Sequence, residues 1–408
     1  MLRIIALNLN YCEQVEGLKN IDYFAGHEDR SMGSASRRVR VQACFAAQVL
    51  DMYDIAIIGA GPAGATLARL IGDNFKVLLV DKRQLSEWPE RFSSTKCCGG
   101  LLAPDAQRML SKLGLGLPKN VLEDPQLFVV KAVDMEQGLE RYYQRHYMNM
   151  NRQKFDRWLL SLVPSGVEIR TNCRLKSYAS EDSFFKLTFV QDRKTHVEKT
   201  RILVGADGAT SKVRLQSSSR MPFPTRYFAI QEWVEGDKNF PYFTSLFDRG
   251  ITDYYCWTIP KGDYLIIGAA LHPKQKASEK FNLLKSKLKR QGFEFGKTLW
   301  REGAFILRPV KTKQVSTGNK GVALLGEAAG WISPSSAEGI SYAFKSALFL
   351  AEALRTTPDG FEKRYYEKTK EMRRNIFVKN LKSHFIFNPT LRKTVMRSNL
   401  QSMQMYKP

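Results

Sequence analysis

The run YDIAIIGAGPAGATLARLIG, residues 53–72, decides how this chain folds. YDIAII is short and almost entirely apolar, as expected of a parallel strand that is covered on both faces, and ATLARLIG has the pattern of a helix. The turn between them fits G-x-G-x-x-G, in which the glycines allow a tight turn, close approach of a pyrophosphate, and close packing of helix on strand. The helix N-terminus adds free N–H groups and a positive dipole end. The candidate cofactor-binding residues of this turn are Gly59, Ala60, Gly61, Pro62, Ala63 and Gly64.

A second buried strand, KVLLVD, ends at Asp81, about 20 residues after the glycines. A carboxylate at this position can accept a hydrogen bond from a ribose hydroxyl. We therefore add Asp81 and the adjacent Lys82 to the candidate cofactor-binding residues. The glycine motif alone does not distinguish NAD from FAD.

Two later stretches favour FAD. RILVGADGATSKVR, residues 201–214, is a strand that leads into Asp207 and Gly208. GVALLGEAAGWISPSSAEGISYAF, residues 321–344, is a strand followed by Gly326 and Glu327, with a helix start predicted near Ser336. Glu327 is placed where a carboxylate could hold a ribityl hydroxyl. The helix N-terminus at Gly339 and Ile340 would face the N1–C2=O edge of a flavin and favour its anionic reduced form.

In this order and spacing, the three motifs resemble those of FAD-dependent oxidoreductases with the p-hydroxybenzoate-hydroxylase-type fold. Asn151-Arg152 followed by Phe155-Asp156 resembles the arginine-bearing helix start that lies beside the cofactor in that superfamily, which makes Arg152 a candidate cofactor-binding residue. The resemblance implies an α/β (α+β) chain. A Rossmann-like FAD-binding domain of the p-hydroxybenzoate-hydroxylase/glutathione-reductase type would be interrupted by an antiparallel-sheet substrate domain and followed by C-terminal helices.

Two further stretches resemble the geranylgeranyl reductases of this superfamily. These enzymes carry a Cys-Gly pair in the loop after the second strand, and KCCGG places Cys98, Gly99 and Gly100 there. They also carry Y-x-W-x-F-P, which YCWTIP approaches with Tyr255 and Trp257. The resemblance implies that the glycines let the loop lie against the flavin ring. It also makes Cys98, Tyr255 and Trp257 the candidate catalytic residues.

Each of these candidates has another interpretation. Cys98 could be a soft packing residue or, less readily, a disulfide partner of Cys97. With a period of two, Tyr255 and Trp257 share one strand face and Tyr254 lies on the other, so the aromatic strand lines either an apolar pocket or the core.

The domain organisation follows from these motifs. We interpret residues 1–52 either as a loosely structured extension or as foreign to a native protein whose translation begins at Met52. The FAD-binding domain is predicted to be discontinuous, the substrate domain is inserted into it, and a basic helical segment closes the chain. The predicted bounds are 53–130, 150–220 and 305–350 for the first, 130–150 and 220–305 for the second, and 351–408 for the third.

Composition excludes several classes of protein. The 408 residues contain no apolar run of the roughly 20 residues that a membrane span needs. Six cysteines without regular spacing and only five histidines argue against a disulfide scaffold or a metal site, and they suit a reducing compartment. We therefore expect no metal.

The net charge is +23, and the most basic part of the chain is its C-terminal segment, where residues 361–408 hold twelve Lys and Arg against three Asp and Glu. Nucleic acid, an anionic membrane surface and a solvated helix face are the physical candidates. No recognition motif supports nucleic acid, so none is expected as a partner. Phe377, Leu381 and Phe385 form a stripe on the same segment that either meets lipid or buries into the fold.

The leading hypothesis is an FAD-dependent reductase of C=C bonds in an isoprenoid or other long apolar substrate. It would be cytoplasmic, with a peripheral position on the inner face of the membrane. Its proton donor would be Cys98, Tyr255 or a water molecule. A flavin monooxygenase or halogenase and a non-catalytic flavin-containing lipid-binding protein are the alternatives. The electron donor stays open between NAD(P)H, a reduced flavin and a ferredoxin, because the chain has no second glycine motif.

Overall fold

The computed structural model describes residues 52–85, 96–217, 222–236, 241–274 and 276–406, so the predicted extension lies outside the described residues except for Met52. The strands are β1 Tyr53–Ile58, β2 Val77–Val80, β3 Leu101–Leu102, β4 Leu127–Asp134, β5 Leu139–Asn149, β6 Glu168–Arg170, β7 Cys173–Ser180, β8 Phe185–Gln191, β9 Lys194–Gly205, β10 Thr225–Gly236, β11 Phe243–Phe247, β12 Cys256–Lys261, β13 Tyr264–Leu271, β14 Phe295–Arg308 and β15 Val322–Leu324. The α-helices are α1 Pro62–Ile71, α2 Pro104–Lys112, α3 Arg152–Ser161, α4 Lys212–Ser217, α5 Ala277–Arg290, α6 Ile340–Thr356, α7 Phe361–Lys368, α8 Lys370–Phe387 and α9 Pro389–Arg397.

The strand before the glycine motif, β1, belongs to a seven-stranded sheet with the order β6-β2-β1-β9-β8-β7, in which β15 also pairs with β9. Strand β1 runs parallel to β2 and β9, whereas β7, β8 and β9 pair antiparallel. The sheet therefore combines a parallel part around β1 with an antiparallel part formed by β7, β8 and β9. Apolar residues of β1 are buried on both faces, against α1 and α6 on one side and against Trp331 and Tyr342 on the other.

The second sheet has eight strands in the order β14-β10-β13-β12-β11-β4-β5-β3. Helix α5 covers one face through Phe281, Leu284 and Leu288. The opposite face carries an aromatic and aliphatic cluster that includes Tyr147 and Trp257. That face is turned toward the loop formed by Cys98, Gly99 and Gly100, here called the Cys98 loop, because the Ile259 side chain in the cluster lies directly against Gly99.

The aromatic residues of helix α8 have two different environments. The Phe387 ring, at the end of α8, packs 5.0 Å from the ring of Tyr254 and joins the aromatic cluster. In the middle of α8, by contrast, the side chains of Phe377, Leu381 and Phe385 are each more than half exposed. The stripe therefore faces outward and not into the fold.

Helix α6 begins at Ile340, four residues later than the start predicted near Ser336. The Glu338 carboxylate accepts hydrogen bonds from the Ser341 N–H and Oγ, each at 2.7 Å. The preceding residue, Ala337, has a φ of 50°, which is incompatible with a continuous right-handed helix. These contacts set the start of the helix beside Gly339.

Replacing Gly64 with Ala tests the close packing of α1 on β1. A Cβ at Gly64 would overlap the Gly59 carbonyl, so we expect Gly64→Ala to lower the free energy of unfolding by about 1–3 kcal/mol and to weaken FAD retention. Urea unfolding and FAD absorbance after gel filtration measure both. Gly116→Ala is the control, because a Cβ there meets nothing within 4 Å. Equal stability and FAD content in the two variants would contradict the close packing of α1 on β1 at Gly64.

Candidate functional site

The glycine turn has the geometry of a phosphate cradle. Gly59 has a φ of 109°, and a Cβ there would overlap the Ala206 carbonyl of the neighbouring strand end. At Gly61 the ideal Cβ position is open, and its nearest neighbour is Arg83 Nη2 at 4.0 Å. Within the described chain, α1 has no capping side chain and no acidic residue in its first turn. Its N–H groups are thus available to an anion.

Asp81 is buried at the end of β2, and protein donors fill its carboxylate. Oδ2 accepts from the Ala60 N–H at 2.7 Å and from Arg83 Nη2 at 2.9 Å, while Oδ1 accepts from the backbone N–H and Nε of Arg83. A carboxylate offers about four acceptor positions, so these four bonds leave none for a ribose hydroxyl. Lys82 is exposed. Arg83, which the motif analysis missed, is the cation that borders the open space at Gly61.

Arg83 continues into a buried chain of alternating charges. Its Nη1 donates to Asp156 Oδ2 at 2.8 Å, and Arg152 Nε donates to Asp156 Oδ1 at 2.8 Å. Although burial raises the pKa of Asp156, the two guanidinium groups outweigh it and lower that pKa. The predicted candidate Arg152 is thereby fixed at the start of α3, where it also interacts with the Cys98 sulfur.

The second and third motifs lie at the ends of neighbouring parallel strands, β9 and β15. Asp207 Oδ2 accepts the Lys212 N–H at 2.8 Å, which caps α4, and Gly208 has a φ of 76°. Glu327, next to Gly326, accepts the Leu307 N–H at 3.0 Å and the Lys96 ammonium at 3.3 Å. The strand ends bring both predicted carboxylates to the edge of the sheet that carries the glycine turn.

The protein itself excludes side chains from both glycines of the Cys98 loop. A Cβ at Gly99 would overlap Ile259 of β12. Gly100 has a φ of 63°, and its ideal Cβ position lies 2.6 Å from Lys261 Nζ. The Cys98 sulfur accepts the Gly100 N–H at 3.5 Å. Of the described cysteines, Cys97 and Cys98 are both free, so no disulfide joins them.

Lys261 is a buried amine that lies outside the sequence motifs. Its side chain is 1% exposed, and Nζ donates to the carbonyls of Gly100 at 3.1 Å and Met150 at 2.8 Å. Burial lowers the pKa of the amine to about 7, although Glu123 and Cys98 act in the opposite direction. Lys261 thereby ties the end of β12 to the Cys98 loop and to the chain that leads into α3. A lysine directly after the apolar run CWTIP was the available signal.

The aromatic strand departs from the predicted alternation at its first residues. Trp257 and Ile259 do share one face, with Cys256 on the other. Strand β12 begins only at Cys256, however, so the alternation does not apply to Tyr254, which joins the cluster of Tyr255 and Trp257. The prediction that Tyr254 faces the opposite side was therefore wrong. Tyr255 Oη donates to the Ser336 carbonyl at 2.9 Å, and burial raises its pKa well above the ordinary value.

These residues fit an FAD molecule. The open Gly61 position and the uncapped α1 amides suit the pyrophosphate, Glu327 is available to a ribityl hydroxyl, and the Cys98 loop and Gly339 are candidates for the ring. FAD supplies two-electron redox chemistry when it is bound.

Among the described residues, no group of three or more His, Cys, Asp or Glu could hold a metal ion, and no helix is long and apolar enough to cross a membrane.

Solved structures share this fold. A geranylgeranyl bacteriochlorophyll reductase-like protein from Thermoplasma acidophilum superposes with a TM-score of 0.71 at 19% identity, covering 85% of this chain and 91% of the other. The flavin-dependent brominase Bmp2 gives 0.60 at 19% identity, with 85% and 92% covered. The probable FAD-dependent monooxygenase PqsL from Pseudomonas aeruginosa gives 0.62 at 18% identity, with 86% and 99% covered.

Residues 52–235 match the family described as FAD binding domain. The fold, the glycine cradle and this match define the chain as an FAD-dependent oxidoreductase with the p-hydroxybenzoate-hydroxylase-type fold. Protein CbrA from Escherichia coli strain K12 is 40% identical over 362 residues, which are 88% of this chain and 100% of CbrA, and CbrA from Shigella sonnei aligns equally. The chain belongs to the CbrA family.

Lys261→Met tests the buried amine through the pH dependence of stability. Because the pKa is about 7 in the folded protein and 10.5 for an unperturbed lysine side chain, the unfolded chain binds the extra proton between these values. Raising the pH therefore stabilises the wild type there, by up to about 1.4 kcal/mol per pH unit. Urea unfolding at pH 7, 7.75 and 8.5 should show a smaller slope for Lys261→Met. Lys176 is exposed, so Lys176→Met is the control. An unchanged slope in Lys261→Met would refute the lowered pKa of Lys261.

Proposed function

We propose that this protein reduces C=C bonds of an isoprenoid or other long apolar substrate. The observation that carries the proposal is the contact between the aromatic cluster and the Cys98 loop. Ile259 touches Gly99, and Trp257 continues the same apolar face of β12. A long hydrocarbon chain lying on this face would pass next to the loop that the resemblance assigns to the flavin.

The roles of the chain's own residues follow from this arrangement. The cluster excludes water and aligns the alkene, which removes most of the orientational freedom that the reaction must overcome. Lys261 holds the Cys98 loop through the Gly100 carbonyl, and the Arg152 charge acts on the Cys98 sulfur. The likeness to the geranylgeranyl bacteriochlorophyll reductase-like structure supports this choice of substrate class.

The test is an anaerobic re-oxidation experiment on the FAD-loaded protein. Its flavin is reduced chemically, a prenyl lipid is added without oxygen, and the oxidised-flavin absorbance is followed. We expect re-oxidation together with a product two hydrogens heavier by mass spectrometry, since both electrons enter the alkene. A fully saturated lipid of the same length is the control and should leave the flavin reduced.

A flavin monooxygenase or halogenase is the second candidate, and the likeness to Bmp2 and PqsL favours it. This candidate predicts that the reduced flavin persists with prenyl lipid and is re-oxidised only when air is admitted. That result would reject the reductase proposal for the lipids tested. Tight binding of prenyl lipid without any flavin turnover would instead support a lipid-binding protein.

We also propose that helix α8 holds the protein against an anionic membrane surface. Phe377, Leu381 and Phe385 are each more than half exposed. Lys370 and Arg374 fall on the same helical face by their spacing and are exposed as well. Apolar side chains flanked by bases suit the interface of an anionic bilayer. Such a position would place the enzyme where long isoprenoid chains are found.

Replacing Phe377, Leu381 and Phe385 together with Ser should weaken binding to phosphatidylglycerol-containing vesicles at least about tenfold, which corresponds to about 1.4 kcal/mol of lost apolar burial. Co-sedimentation at low and high salt measures the effect. Val197 and Leu215, each 49% exposed elsewhere on the molecule, are replaced with Ser as the control. Binding that is absent in the wild type, or unchanged in the triple variant, would disprove the membrane role.

A further inference from the structure

A row of polar side chains crosses the otherwise apolar face of the second sheet. Trp257 on β12 lies opposite Gly268 on β13, Gly268 lies opposite Gln231 on β10, and Gln231 lies opposite Glu302 on β14. Residues that are directly opposite in antiparallel strands share a face. Because Gly268 has no side chain, the Trp257 indole lies over it, and its Nε1 edge occupies the place that a Cβ would take.

The hydrogen bonds of this row lead to the Cys98 loop. Gln231 Nε2 donates to the Cys98 carbonyl at 3.2 Å and to Glu302 Oε1. Trp233 Nε1 donates to the same carboxyl oxygen at 3.3 Å. The row therefore connects an acidic side chain on β14 to the loop at the candidate flavin site through a single amide.

Two buried polar atoms of the row have no hydrogen-bond partner within the described residues. They are Gln231 Oε1, in a fully buried residue, and Trp257 Nε1, in a residue that is 8% exposed. One is an acceptor and the other a donor, and buried atoms of both kinds are normally satisfied. Each atom is open to water: the indole N–H donates to a water oxygen, and the amide oxygen accepts a water hydrogen.

Glu302 is suited to hold a proton in this position. Burial raises the pKa of its carboxyl group, and the hydrogen bonds from Gln231 and Trp233 only partly oppose this. The titratable group that faces it from the loop is Cys97, whose pKa is itself raised by burial and then by the Glu302 charge. Tyr255 is a poor acid by comparison, since its pKa lies well above the ordinary value. The Glu302 side chain is only partly buried, which leaves a route for protons from solvent.

We infer that Glu302 is the proton source of the proposed reduction, and that Gln231 and Trp257 are positioning residues on the face between Glu302 and the Cys98 loop. The inference rests on the proposed function. With the reduced cofactor bound, a hydride carrying two electrons would add to one alkene carbon, and the proton of Glu302 would add to the other. The π bond breaks and two C–H bonds form. Glu302 is left as a carboxylate that solvent reprotonates, and a nicotinamide, flavin or ferredoxin donor reduces the cofactor again.

The experiment compares Glu302→Gln with Glu294→Gln in the FAD-loaded full chain. Glu294 is an exposed glutamate that directly precedes β14. Anaerobic re-oxidation of the reduced flavin by prenyl lipid is followed as a function of pH. In the wild type and Glu294→Gln, the rate should fall as pH rises through the raised pKa of Glu302. In Glu302→Gln the rate should be about a hundredfold lower and independent of pH in this range, with FAD content unchanged. Trp257→Phe should lower the rate and leave the pH midpoint unchanged.

Infrared spectroscopy supplies a readout that does not depend on turnover. In the wild type and Glu294→Gln, part of the carboxylic acid carbonyl band should persist to a higher pH than that of an ordinary glutamate, because the pKa of Glu302 is raised, and this part should be missing in Glu302→Gln. If the wild type re-oxidises with prenyl lipid and Glu302→Gln matches it in rate and pH profile, Glu302 is not the proton source, while the proposed function stands. If the wild type does not re-oxidise at all, the proposed function fails, and this role of Glu302 fails with it, even where the band is present.

Discussion

The site depends on one buried chain of charges, Asp81–Arg83–Asp156–Arg152. Asp81 pairs with Arg83, and Asp156 lies between Arg83 and Arg152, so every charge in the chain has an opposite partner. The chain joins the end of β2 to the start of α3 and ends beside the Cys98 sulfur. It therefore fixes the nucleotide cradle and the Cys98 loop relative to each other.

A second constraint acts where the two sheets meet. Gly100 must adopt a positive φ and leave room for the Met150 carbonyl and the Lys261 amine. Two carbonyls solvate this amine in place of water, and the remaining cost of burial appears as its lowered pKa. The position of the aromatic strand over the loop thus follows from backbone contacts. It does not require that Cys98 itself be reactive.

The face above this loop combines two properties. Most of it is apolar, as a hydrocarbon substrate requires, and a single row of polar atoms crosses it at Gln231 and Glu302. In the proposed reduction, the apolar area would keep water away from the reacting atoms, while the row would exchange protons with solvent. A site of this kind separates hydride transfer, which benefits from dryness, from proton supply, which needs a polar route.

The sequence alone was enough to determine the cofactor and the fold class, because the glycine turn, the Asp207 stretch and the Glu327 stretch are each local signals within one strand–turn–helix unit. The partners that complete the site are far apart along the chain. Gln231 reaches Cys98 across 133 residues, and Lys261 reaches Gly100 across 161. Such pairs are set by strand register, which shifts every side chain to the other face if it slips by one residue. Only the tertiary structure could therefore bring Lys261, Gln231 and Glu302 to the site.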